Sequence, residues 1–129
     1  DGILSGDFDV LVDAIDTVRC KVSLLRRASE TGMVTFSSMG AALHLDTQMV
    51  RVAPLRKTSV CPLAAAVRKG LRDLDTSNIT CVYSVEPPIA VPTDRDEHGK
   101  SVLGSLPTVP AVFGMTLANL VIQHVLGRQ

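Results

Sequence analysis

The run Val10-Leu11-Val12-Asp13-Ala14-Ile15-Asp16 constrains the chain more than any other stretch. Phe8 to Val12 is short, apolar and rich in β-branched residues, and the acids Asp13 and Asp16 follow it at once. That pattern predicts a buried parallel strand delivering carboxylates at its C-terminal edge. In open α/β sheets, ligands bind at that edge. The next residues, Thr17 to Ala28, set Val18, Val22 and Leu25 on one helical stripe, with Arg19, Lys21 and Arg26 largely off it. Strand, acids and helix together make half of a nucleotide-type crevice.

The rest of the chain extends this unit. Glu30-Thr31-Gly32 predicts a helix end with a C-cap glycine, and Met33 to Ser37 a second core strand, giving one right-handed strand-helix-strand unit. Gln48 to Val52 alternates and predicts a half-exposed strand in an antiparallel part of the sheet. Pro62 to Arg72 predicts an amphipathic helix, with Pro62 in its first turn, Leu63, Ala66, Val67 and Leu71 inward, and Arg68, Lys69 and Arg72 outward. Ile79 to Glu86 reads as a further strand. Cys81 inside it has no adjacent histidine or lysine, so inert core is favoured over a reactive thiol. Residues 87–100, rich in proline and charge and containing His98, predict a mobile surface loop.

Composition narrows the class. With 129 residues, 46% hydrophobic content and zero formal charge, there is material for one core and no polybasic tail. Aromatic residues make up 3%, too few for base-stacking platforms. Cys20, Cys61 and Cys81 form no C-x-x-C pair, which disfavours a zinc knuckle and a disulfide framework and fits a reducing, cytoplasmic compartment. Charge is nonetheless segregated. Residues 1–16 hold five acids and no base, whereas Thr47 to Arg72 carries Arg51, Arg56, Lys57, Arg68, Lys69 and Arg72 and no acid. A solvated face is the plainer reading of those bases, and a nucleic-acid phosphate patch the alternative. Ser101 to Leu126 has no formal charge, so a bilayer span must be weighed. Pro107, Pro110, Asn119, Gln123 and His124 favour a buried or dimer-interface helix instead, and membrane association is not expected.

Several blocks resemble a known family. Val12 to Lys21 resembles the D-A-I-D-x-V-R-x-K segment of the tRNA threonylcarbamoyladenosine dehydratases, which belong to the ubiquitin-activating-enzyme-like (ThiF-type) family. Ile79 to Glu86 resembles their C-V-F-S-x-E strand, and Pro62-Leu63-Ala64 with Arg68 to Leu71 their D-P-L-A helix, Cys61 standing where relatives carry a capping aspartate. Gly104 to Gly114 resembles the entrance to their C-terminal helix, without the cysteine some relatives have there. The resemblance implies an α/β fold: the C-terminal half of a Rossmann-like mixed sheet with flanking helices, residues 1–129 being the later part of an adenylation domain. No glycine here forms G-x-G-x-x-G, so a preceding half carrying the phosphate loop is expected elsewhere.

The resemblance further implies ATP and Mg²⁺ as cofactors, Asp16 as the catalytic and metal-binding acid, and Asp16, Lys21 and Gly40 as cofactor-binding residues. From local sequence alone Asp16 reads more readily as a helix N-cap; the resemblance reverses that preference. Gly40 remains equally an ordinary turn glycine, and bulkier Ala42 and Leu43 stand where relatives carry glycine. The implied activity is ATP-dependent adenylation of a carboxylate followed by cyclisation with loss of water, with tRNA as substrate, a homodimer, and a sulfur-carrier protein or cysteine desulfurase as further partner. Two alternatives stand beside it: an adenylyltransferase for a ubiquitin-like sulfur carrier, and a non-catalytic dimerisation or docking module. The absence of paired C-x-x-C motifs counts against the first.

Overall fold

The computed structural model describes residues 9–41, 44–87 and 108–127. β1 (Val10–Asp13), α1 (Val18–Thr31) and β2 (Val34–Ser38) form the expected strand-helix-strand unit. β1 and β2 are parallel, in register from Val10 opposite Val34 to Asp13 opposite Ser37, and a parallel pair requires a crossover of about the length α1 supplies. α1 stops at Gly32, whose φ of 72° is left-handed and whose N–H reaches Ser29 O at 3.3 Å. β3 (Val50–Pro54), α2 (Pro62–Gly70), β4 (Ile79–Ser84) and α3 (Thr108–Val125) complete the described elements.

The sheet order is β1-β2-β4-β3, with β4 parallel to β2 and β3 antiparallel to β4. This is the mixed α/β sheet with flanking helices that the sequence implies. Successive side chains on a strand point to opposite faces, so β4 serves two cores. Ile79, Cys81 and Tyr83 pack with Leu25, Met39, Leu55, Ala64, Val67 and Leu71 beneath α1 and α2. Val82 turns the other way, joining Phe36 against Val109, Phe113 and Leu117 of α3. α1 and α2 approach closely: a Cβ on Gly70 would stand 2.9 Å from Val22 Cγ1, which only glycine avoids.

Two expectations need correction. β1, expected as a buried strand, is an edge strand of the described sheet, since no described strand pairs along its other side. Its burial agrees: Asp13 is buried, Val10 and Leu11 are half-buried, and Val12 is 47% exposed. The inward stripe of α1 is also rotated from the expected one. It runs Lys21, Leu25, Ala28, while Val18 is exposed and Val22 half-buried. Lys21 turns inward because polar acceptors wait beneath it.

α2 begins as expected at Pro62, and Cys61 does cap it, its Sγ accepting from Ala64 N–H at 3.4 Å. α3 starts at Thr108, with Pro110 in a first turn where no N–H is needed. By length and composition α3 could cross a membrane. Its inner face is taken up by the sheet, and His124 meets the Phe36 ring edge-on with centroids 6.2 Å apart. Pro87 is described and exposed; the remainder of the expected 87–100 loop, with His98, lies outside the described residues, as do Ala42 and Leu43.

Candidate functional site

Because β1, β2 and β4 are parallel, their C-terminal ends share one edge of the sheet. Asp13, the last residue of β1, is buried there. Its Oδ2 accepts from Ser37 Oγ at 2.6 Å, Ser37 being its register partner on β2. Its Oδ1 accepts from Ile15 N–H at 3.0 Å. Lys21 Nζ approaches Asp13 Oδ2 to 2.7 Å, with neither side chain exposed to solvent. The same ammonium donates to Ile15 O at 3.0 Å and Ser38 O at 2.6 Å. An ammonium carries three N–H groups, and here three acceptors meet them. A charge pair this buried is tolerable only with such complete compensation.

Asp16 lies three residues past β1 and is exposed. The N-cap of α1 is Thr17, in extended backbone and without a side-chain cap bond, so Asp16 is not the cap. Its carboxylate is committed to no described residue. Gly40, two residues past β2, has φ of 88°, a left-handed turn, and a Cβ there would sit 3.4 Å from Leu63 Cδ2. The structure thus brings the Asp16 loop and the β2 exit loop to one edge. Lys21 joins them through Ile15 O and Ser38 O, but it keeps no N–H free and no exposed surface.

The edge also carries a pair that sequence reasoning missed. Glu86, two residues beyond β4, accepts from Leu45 N–H at 2.8 Å and Asp46 N–H at 3.0 Å. His44, 6% exposed, places Nδ1 3.3 Å from Glu86 Oε2, in charge-pair range but without hydrogen-bond geometry. Glu86 was visible as part of the S-x-E pattern, but its partners are some 40 residues away and nothing local signals them. Among the described residues, no three His, Cys, Asp or Glu side chains gather as a metal cage. Cys81 is fully buried, and burial pushes its thiol up to about 12, so it belongs to the core as the sequence suggested. Cys61 is buried too, and Cys20 is exposed.

No protein-family model matches the chain. It is 30% identical over 129 residues to a tRNA threonylcarbamoyladenosine dehydratase of Bacillus subtilis, covering 92% of this chain and 51% of that protein. It is likewise 30% identical over 133 residues to tRNA threonylcarbamoyladenosine dehydratase 1 of Saccharomyces cerevisiae, covering 91% of this chain and 31% of that one. Among solved structures, the Escherichia coli enzyme TcdA in complex with ATP superposes with a TM-score of 0.81 at 24% identity, over 98% of this chain and 51% of its own. HcgE from Methanothermobacter marburgensis, bound to guanylylpyridinol and ATP, gives a TM-score of 0.63 at 21% identity, over 94% and 53%. At those identities the two structures establish the fold. The chain is therefore a relative of the tRNA threonylcarbamoyladenosine dehydratases, spanning about half the length of the Bacillus subtilis protein it matches.

Proposed function

We propose that this chain is the C-terminal half of an ATP-dependent tRNA threonylcarbamoyladenosine dehydratase, and that Asp16 is its acid beside Mg²⁺ and the triphosphate. The observation carrying this reading is an exposed carboxylate, committed to no described residue, at the C-terminal edge of parallel strands. One or two carboxylates suffice for Mg²⁺, because substrate phosphates and water complete its shell. The lack of a multi-residue cage among the described residues is compatible with that mode. When bound, the ion would supply positive charge against the phosphates.

In the proposed reaction, a carboxylate oxygen of the tRNA-borne nucleoside attacks the α-phosphorus of ATP and pyrophosphate departs. Attack on the activated carbonyl by the nucleoside's own carbamoyl group closes the ring, expels AMP and releases one proton. The chain's part is positioning and charge. Asp16 faces the ligand, and the Gly40 turn borders the same edge. Lys21 acts from behind, fixing both loops. A glycine-rich half to cradle phosphates is supplied elsewhere in this reading, as a homodimer and a cytoplasmic setting belong to it. The chain alone then binds ATP weakly or not at all.

The test is Asp16→Asn in the full-length protein. Asparagine keeps the shape and removes the charge, so adenylation, read as ATP–pyrophosphate exchange with tRNA present, should fall by about 10²–10³. The melting temperature should hold, since Asp16 caps nothing and is exposed. Wild-type exchange in Asp16→Asn would remove the metal assignment.

A further inference from the structure

The basic residues from Arg56 to Arg72 fold into a built surface, not a scatter of solvated side chains. Arg56, in the 3₁₀ turn Leu55–Lys57 after β3, spreads its guanidinium over the C-terminal end of α2. It donates to Arg68 O at 3.2 Å, Leu71 O at 2.5 Å and Leu74 O at 3.0 Å. Arg68 returns the connection, donating to Thr58 O at 2.9 Å and also to Thr58 Oγ1. Arg68 O and Leu71 O also accept the N–H groups of Leu71 and Leu74, so the guanidinium adds second bonds there, and together these bonds clamp the 55–58 turn beside residues 68–74. A guanidinium bound to neutral carbonyls keeps its full charge. Arg56 and Arg68 are therefore two positioned cations, and Lys57, Lys69 and Arg72 stand exposed around them.

The two nearest acids offset only part of this field, since the five bases outnumber Asp73 and Asp75, the latter still charged. Asp73 is paired with Arg26 at 3.1 Å, and that guanidinium holds its carboxyl below the usual range. Asp75 turns its Oδ1 to Ser77 N–H. Between these groups lies a depression of about 280 Å³ lined by Arg56, Lys57, Asp75, Thr76 and Ser77, among others. Thr76 Oγ1, in a residue only 3% exposed, has no partner among the described residues.

We propose that Arg56, Lys57, Arg68, Lys69 and Arg72 form a phosphate-backbone grip for tRNA, at the end of the sheet opposite the Asp16 edge. This rests on the proposed dehydratase reading, which makes tRNA the substrate. Backbone phosphates rather than bases are the target, because no aromatic side chain among the described residues lies on this surface and cations alone read charge.

The experiment compares wild type, Lys57→Gln/Lys69→Gln/Arg72→Gln and Lys57→Arg/Lys69→Arg/Arg72→Lys in the full-length protein. tRNA affinity is measured across a salt series, with melting temperature as a check on folding. Each phosphate contact contributes about 0.7–0.9 to the slope of log K against log salt, so the glutamine triple should lower that slope by about 2–3 and weaken binding about tenfold or more. The charge-keeping triple should bind as wild type does, since Lys and Arg both serve as point charges toward phosphate. Wild-type affinity and slope in the glutamine triple would overturn the grip and leave the dehydratase reading intact, as would loss of binding to an acidic protein partner with tRNA binding unchanged. Absence of tRNA binding by wild type would overturn both.

Discussion

Lys21 Nζ stands 2.7 Å from Asp13 Oδ2 at a point where neither side chain touches solvent. The pair is the junction of four segments: the end of β1, the loop to Asp16, the first turns of α1, and the exit of β2 through Ser38 O. Its place in the proposed site is therefore indirect. A residue with no exposed surface and no spare N–H positions those that meet the ligand.

Lys21→Met should leave the Asp13 carboxylate buried without its cation. Breaking a buried pair from one side costs about 3–5 kcal/mol, which urea unfolding would read directly. Adding Asp13→Asn in the same background removes the orphaned charge and should recover part of the loss. A Lys21→Met protein within about 1 kcal/mol of wild type would show that the pair does not hold this edge together.

The cysteines should divide by exposure. Iodoacetamide near neutral pH should modify Cys20, while Cys61 and Cys81 react only on unfolding. Burial raises the Cys81 thiol from the ordinary 9.0 to about 12. A thiol whose folded pKa is raised contributes stability that is complete below the unfolded value. That contribution drains away as pH climbs towards the folded one. Stability measured from pH 9 to 11 should accordingly fall more steeply in wild type than in Cys81→Ala. Equal slopes would rule out a protected thiol at this position.

Glu86→Gln preserves size and removes the charge that Leu45 N–H and Asp46 N–H point toward. Bonds to an ionised acceptor are about twice as strong as neutral ones, so the variant should lose about 1–2 kcal/mol. Those two amides should exchange with solvent faster than in wild type. Unchanged exchange at both would mean that the carboxylate does not organise the 44–46 turn.

The unit from β1 to β2 was legible because its signals are local: an apolar run, acids at its end, a helical period and a terminating glycine. Cys81 was legible for the same reason, an apolar residue in an apolar strand. Lys21 was misjudged by giving weight to its charge over its spacing, although Leu25 and Ala28 follow it at the intervals of an inward stripe. The His44–Glu86 contact joins segments far apart in sequence and leaves no periodic trace. The edge position of β1 depends on what pairs beside it, which no pattern within the strand encodes. Arg56 read as a solvated base because helix-end carbonyls are invisible in a sequence.

β3 runs against β4, and that reversal carries the 55–58 turn to the opposite end of the sheet from Asp16. The separation is set by strand length. Six residues of β4 at about 3.3 Å each make a span of about 20 Å. A free nucleoside could occupy one end or the other, never both. Under the proposed grip only a polymer would meet both ends, so the antiparallel strand would act as a ruler that selects a substrate by its length before any base is read.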